Sequence, residues 1–154
     1  MKQRIYIDTS IVGGFFDTEF SDATRALFER LKNKEIIFVV SDVMFSELEG
    51  APPHVRELLK KYEQDCFEYV FLSDDSRELA NNYIAENVVG KTSIEDCQHI
   101  AIATIHKVDV LASWNFKHIV NLEKIRGYNG VNLKKGYSLI EIRNPKDLIR
   151  YEND

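Results

Sequence analysis

Short uninterrupted apolar runs alternate along this chain with longer stretches whose apolar residues recur every three or four positions. IYI (5–7), IIFVV (36–40), FEYVFL (67–72) and VLAS (110–113) read as strands, with SLIEI (138–142) as a fifth. Helical spacing marks 22–33, 41–50, 54–64, 76–88 and 93–108. The second of these opens on Ser41 and Asp42, both good caps, and stops at Gly50 ahead of Pro52 and Pro53.

Continuous apolar strands separated by helices suit a parallel sheet covered on both faces better than a sheet with one wet face. The pattern therefore predicts a three-layer α/β/α fold around a mainly parallel sheet of four to five strands. No repeat and no Pro-, Gly- or Ser-rich linker divides the chain, so 1–154 reads as a single domain.

Composition narrows the class. Apolar residues make up 44% and aromatics 11% of 154 residues, enough for a sizeable core. The amino terminus lacks the apolar segment of a secretory signal, and no run approaches the roughly 18 apolar residues of a membrane helix. The expectation is a cytoplasmic protein with no membrane partner. Cys66 and Cys97 sit inside apolar patterns without CxxC spacing, which points to core thiols rather than a disulfide or zinc framework. The net charge of −5 argues against broad adhesion to nucleic acid, although 117–135 carries Lys117, Lys124, Arg126, Lys134 and Lys135 against Glu123 alone.

Acidic residues then attract attention by position. Ligands of such sheets sit beyond the carboxyl ends of the strands, and Asp8 closes the first strand there, unless it serves as a turn or helix cap. Glu47 stands on an apolar background in the helix after the second strand. Asp96 opens the helix rich in IAIATI, where SIED also reads as a capping box. Ser113 and Asn115, two apart after the fourth strand, point to one face toward Asp8. Carboxylates converging on one pocket repel one another unless a cation offsets them, and hard oxygen donors suit Mg²⁺ or Mn²⁺.

Taken in order, IYIDTSIV, FSELEG, EDCQHIAIA and DVLASWNFKHI, followed by GYSLIEIRNPKDLI, resemble the PIN-domain family, above all the VapC toxin ribonucleases and their solitary relatives. The resemblance implies that Asp8, Glu47 and Asp96 are metal-binding catalytic acids, with Asn115 in the fourth position. It also implies supporting roles for Thr9, Ser10 and Ser113. His99, one turn after Asp96, is a candidate to orient a carboxylate or phosphate, against the plainer reading of a satisfied buried histidine. The family's run after the fourth strand is often Thr-x-Asp or Thr-x-Asn, where this chain has Ser113-Trp114-Asn115, and a further acid is replaced by His118. Three strong acids therefore remain.

The function implied is a divalent-metal-dependent endoribonuclease using Mg²⁺ or Mn²⁺, with Lys117, Lys124 and Arg126 holding the RNA backbone. A toxin role adds the expectation of an antitoxin partner and a homodimer. The alternative is a non-catalytic PIN-like interaction module. A haloacid-dehalogenase-type phosphatase also begins with a strand and an Asp, but needs a second Asp where this chain has Ser10. Trp114 and Phe116 are candidates to stack bases, with packing at the sheet edge the stronger expectation.

Overall fold

In the computed structural model, which describes residues 1–149, the apolar runs form strands β1 (Gln3–Ile7), β2 (Ile36–Ser41), β3 (Phe67–Val70), β4 (Val110–Ala112) and β5 (Ile142–Arg143). Residues 150–154, the end of the expected 1–154 domain, lie outside the described residues. The strands lie in the order β3-β2-β1-β4-β5, every pair parallel. Helices α1 (Thr9–Gly14), α2 (Ser21–Lys32), α3 (Asp42–Leu48), α4 (Pro53–Arg56), α5 (Asp74–Ala85), α6 (Ile94–Ile105) and α7 (Leu122–Lys134) connect them.

Strand periodicity sorts the apolar residues onto two faces. Ile5, Ile7, Phe38, Val40, Val110 and Ala112 point into a core closed by α1, α2 and α3. Tyr6, Val39 and Leu111, which alternate with them, point into a second core with α5, α6 and α7. The expected three-layer α/β/α fold is what forms, because strands apolar on both sides need cover on both. Cys66 and Cys97 are both free and buried, and burial pushes the Cys97 thiol up to about 12.

Some elements differ from the pattern. The fifth strand forms at 142–143 rather than 138–142, and 54–64 is not one helix but α4 followed by short 3₁₀ turns at Leu58–Lys61 and Gln64–Cys66. Val55, Leu58 and Leu59 still face the core as their spacing requires. The second turn ends at Cys66, directly before β3, and Asp65 within it is held 2.5 Å from Lys34. Two helices have no counterpart in the pattern: α1 contains Gly13 and Gly14, and α7 contains Gly127 and Gly130, residues that weaken any helical signal.

Sequential strands run outward from β1 through β2 to β3, and the chain then returns to place β4 and β5 on the other side of β1. The order thus reverses between β1 and β4. Connections leave on opposite faces there and open a crevice beyond the strand ends.

Candidate active site

Strand register brings the first two groups together. Ile7 pairs with Ala112, so Asp8 and Ser113 each stand one residue beyond the last paired positions of adjacent parallel strands. The Ser113 hydroxyl donates to Asp8 Oδ2 at 2.6 Å, and the Ser10 hydroxyl donates to Oδ1 at 2.6 Å. These hydroxyls in turn accept the Asn115 and Trp114 backbone N–H groups, each at 2.9 Å. Asp8 stands at the N-cap position of α1 yet makes no side-chain cap bond, so both its oxygens are left to accept from Ser10 and Ser113. Burial pushes its carboxyl above the usual range and Glu47 adds repulsion, while the charge of His99 and the hydroxyls of Ser10 and Ser113 oppose the rise.

Glu47 comes from α3, whose start is set by Ser41: its hydroxyl accepts the Met44 N–H at 3.2 Å. Asp42, the other candidate cap, instead accepts from Val43 and Leu72 N–H, tying α3 to the chain leaving β3. His99, from the middle of α6, contacts Glu47 Oε1 through Nε2 and the Tyr6 hydroxyl through Nδ1 at 2.6 Å. Tyr6 also meets Ser41 Oγ at 2.7 Å. Partial burial works against charge on Glu47. The hydrogen bond and charge of His99 outweigh it, with help from Thr9 and Glu95, and hold the carboxyl below the usual range.

Asp96 lies in the first turn of α6. The capping-box reading fails there, because Ser93 makes no side-chain cap bond. Burial lifts the Asp96 carboxyl. His99 and His118 act against that rise, and Asp8 and Glu47 reinforce it. Asp8, Glu47 and Asp96 thus share one electrostatic neighbourhood centred on His99. Beside it, an acidic cleft of about 500 Å³ is lined by Asp42, Val43, Ser46, Glu47, Glu95 and Gln98.

Two observations bear on whether a cation fits. Hard oxygen donors that repel one another are what a divalent ion offsets, and the buried Thr9 Oγ1 and His118 Nδ1, beside Glu47 and Asp96, have no well-formed hydrogen bond. Among the described residues no three His, Cys, Asp or Glu side chains close into a cage. Carboxylate oxygens are the donor type that Mg²⁺ takes when it is held by one or two carboxylates and keeps several of its waters.

The fourth expected position is arranged differently. Asn115 Oδ1 accepts the N–H groups of Lys117 at 3.2 Å and His118 at 3.0 Å, closing a turn after β4, while Ser113 supplies the hydroxyl that reaches Asp8. Lys124 is engaged with the Val88 carbonyl at 2.9 Å, whereas Lys117 and Arg126 are exposed. Trp114 is packed, stacked on Phe20 with ring centroids 4.3 Å apart and bonded to Thr24 Oγ1 at 2.9 Å; Phe116 is exposed. The participants missed in the sequence are Tyr6 and Ser41. A hydroxyl inside an apolar strand was the available signal for Tyr6, because a buried phenol needs a partner.

With this geometry in place, solved structures supply the comparison. VapBC2 from Rickettsia felis, bound to a DNA fragment from its promoter, aligns over 92% of this chain and 98% of its own with TM-score 0.59 and 14% identity. The fold is that of the VapC-like PIN domains. VapC20 of Mycobacterium tuberculosis, a Sarcin-Ricin loop cleaving toxin, aligns over 89% and 98% with TM-score 0.58 and 12% identity. FitAcB from Neisseria gonorrhoeae aligns over 92% and 98% with TM-score 0.60 and 13% identity. The sequence matches no protein-family model, and no curated protein matches it significantly. Asp8 and Ser113 occupy the carboxyl-end crevice of this PIN fold, and none of its described helices is long and apolar enough to cross a membrane.

Proposed function

We propose that this protein is a divalent-metal-dependent endoribonuclease, acting as the toxin of a toxin–antitoxin pair. The observation that carries the reading is the placement of Asp8, Glu47 and Asp96 around His99 at the switch point of a VapC-like PIN fold, close enough that Glu47 raises both Asp carboxyls and Asp8 raises that of Asp96. Perturbed carboxylates that converge in a crevice mark functional sites more often than structural ones.

In this reading Asp8, Glu47 and Asp96 hold Mg²⁺ or Mn²⁺, and such an ion, when bound, supplies an acidified water and offsets phosphate charge. Ser10 and Ser113 keep the Asp8 carboxylate aimed into the crevice, their hydroxyls anchored by Trp114 and Asn115 N–H groups. His99 donates Nε2–H to Glu47. Exposed Lys117 and Arg126 are available to an RNA backbone. An antitoxin partner is supported by the toxin–antitoxin complexes among the structural neighbours, one of them from Klebsiella pneumoniae with TM-score 0.54.

The reading of a non-catalytic interaction module draws its support from Asn115, whose side-chain oxygen is occupied by backbone N–H groups. One experiment separates the two. Purified protein incubated with a mixed single-stranded RNA and Mg²⁺ or Mn²⁺ is expected to give discrete fragments that chelator and Asp8→Asn both abolish. Intact RNA under every condition, or cleavage unchanged in Asp8→Asn, refutes the nuclease.

A further inference from the structure

Glu47 presents a physical problem. Its side chain is 27% exposed and its helix, α3, is only seven residues long. A flexible, partly wet carboxylate loses rotamer freedom when fixed, so something rigid must hold it.

The donors and acceptors around it form one continuous chain. Met44 N–H donates to Ser41 Oγ at 3.2 Å, Ser41 Oγ shares a hydrogen bond with Tyr6 Oη at 2.7 Å, and Tyr6 Oη shares one with His99 Nδ1 at 2.6 Å. His99 Nε2–H then donates to Glu47 Oε1. With the ring neutral, every polar hydrogen in the series finds an acceptor and none is duplicated. With the ring protonated, the Tyr6 and Ser41 hydroxyls reverse direction, and Nε2–H still faces Glu47.

The chain begins at the cap of α3, crosses β2, β1 and α6, and returns to α3 at Glu47. It therefore closes a loop through the sheet. Tyr6 is fully buried, His99 is 2% exposed, and their rings meet edge-on with centroids 5.6 Å apart, so neither can move without disturbing the core. His99 occupies one acceptor position of Oε1, while Thr9 and Glu95 meet the same carboxylate from the crevice side. Tyr6 could have satisfied its hydroxyl with Ser41 alone. The extension through a buried histidine to a partly exposed acid is what calls for a purpose.

We propose that Tyr6 and His99 are positioning residues that hold Glu47 in a fixed orientation for a divalent cation, an inference that rests on the metal-dependent reading above. Partners of ligating carboxylates commonly contribute about 10- to 100-fold to metal affinity.

The test is equilibrium Mn²⁺ titration of the full chain, followed by the electron paramagnetic resonance of the free ion, with urea unfolding as a folding control. Wild type is expected to bind Mn²⁺ at a site that Asp8→Asn removes. His99→Leu is expected to weaken that binding at least about tenfold, Tyr6→Phe severalfold, and His99→Gln, which restores an N–H, to recover much of the loss. Wild-type affinity in His99→Leu and Tyr6→Phe overturns the proposal. So does equal weakening in His99→Leu and His99→Gln with wild-type affinity in Tyr6→Phe, which makes the histidine merely structural. If His99→Leu does not fold, Tyr6→Phe decides. Absence of any Asp8-dependent Mn²⁺ binding in wild type overturns the metal reading first, and this inference with it.

Discussion

Ser113 donates a 2.6 Å hydrogen bond to Asp8 across the boundary between β4 and β1, the point where strand order reverses. The same hydroxyl accepts the Asn115 N–H, so one side chain both supports a buried carboxylate and shapes the turn that follows. Ser113→Ala leaves that N–H without its acceptor and Asp8 with one donor fewer. A loss of about 1–3 kcal/mol is expected in urea unfolding at neutral pH. Ser113→Thr, which keeps the hydroxyl, is expected to retain most of it.

Gly14 is the second point of control over the same segment. A Cβ there would lie 2.7 Å from Cδ1 and Nε1 of Trp114 and 3.0 Å from Thr24 Oγ1. Trp114 follows Ser113 directly and is held between Phe20 and Thr24, so it has little room to withdraw. Gly14→Ala is expected to destabilise by about 1–3 kcal/mol through overpacking, read from the urea midpoint, and to shift the indole fluorescence.

At the other end of the sheet, Arg4 clasps Glu68 with two hydrogen bonds of 2.9 and 2.6 Å. The hydrogen bond from Arg4 holds the Glu68 carboxyl below its ordinary 4.5, burial opposing and the charges of Arg4 and His106 assisting. A depressed carboxyl binds fewer protons folded than unfolded. Its contribution is therefore complete above 4.5 and is lost as pH falls through the folded value. Glu68 is 37% exposed, so the effect is modest. Glu68→Gln is expected to cost about 0.5–1 kcal/mol at pH 7, and the difference from wild type is expected to shrink as the pH of an acid urea series falls below the ordinary carboxylate range.

Particular residues show how much was legible in advance. The layers and the parallel sheet follow from runs such as IIFVV, because a strand apolar at successive positions must be covered on both faces. Asp8 and Ser113 were readable as neighbours at strand ends, since parallel register sets side chains of equivalent positions next to one another. Asn115 follows beyond β4, which ends at Ala112; its N–H meets the Ser113 hydroxyl, and its Oδ1 accepts from the Lys117 and His118 N–H groups, a turn that strand alternation does not encode. His99 carried two readings, and burial and contact with Glu47 are both true of it. Its link to Tyr6 depends on the distance between β1 and α6, which local spacing does not encode. Helix α7 stayed hidden because Gly127 and Gly130 interrupt its pattern. Tyr128, Val131 and Asn132 are nonetheless buried, and Gly127 leaves room for Val88, whose Cγ1 would lie 2.8 Å from an added Cβ.

Asp8 at the end of β1, Glu47 on α3 and Asp96 on α6 are proposed to serve one divalent cation in the crevice beyond the strand ends. Anomalous diffraction from crystals grown with Mn²⁺ tests it most directly. The expected result is a peak among these three carboxylates, absent in crystals of Asp8→Asn. A strong Mn²⁺ peak elsewhere with none between them, under conditions where the protein cleaves RNA, would contradict it.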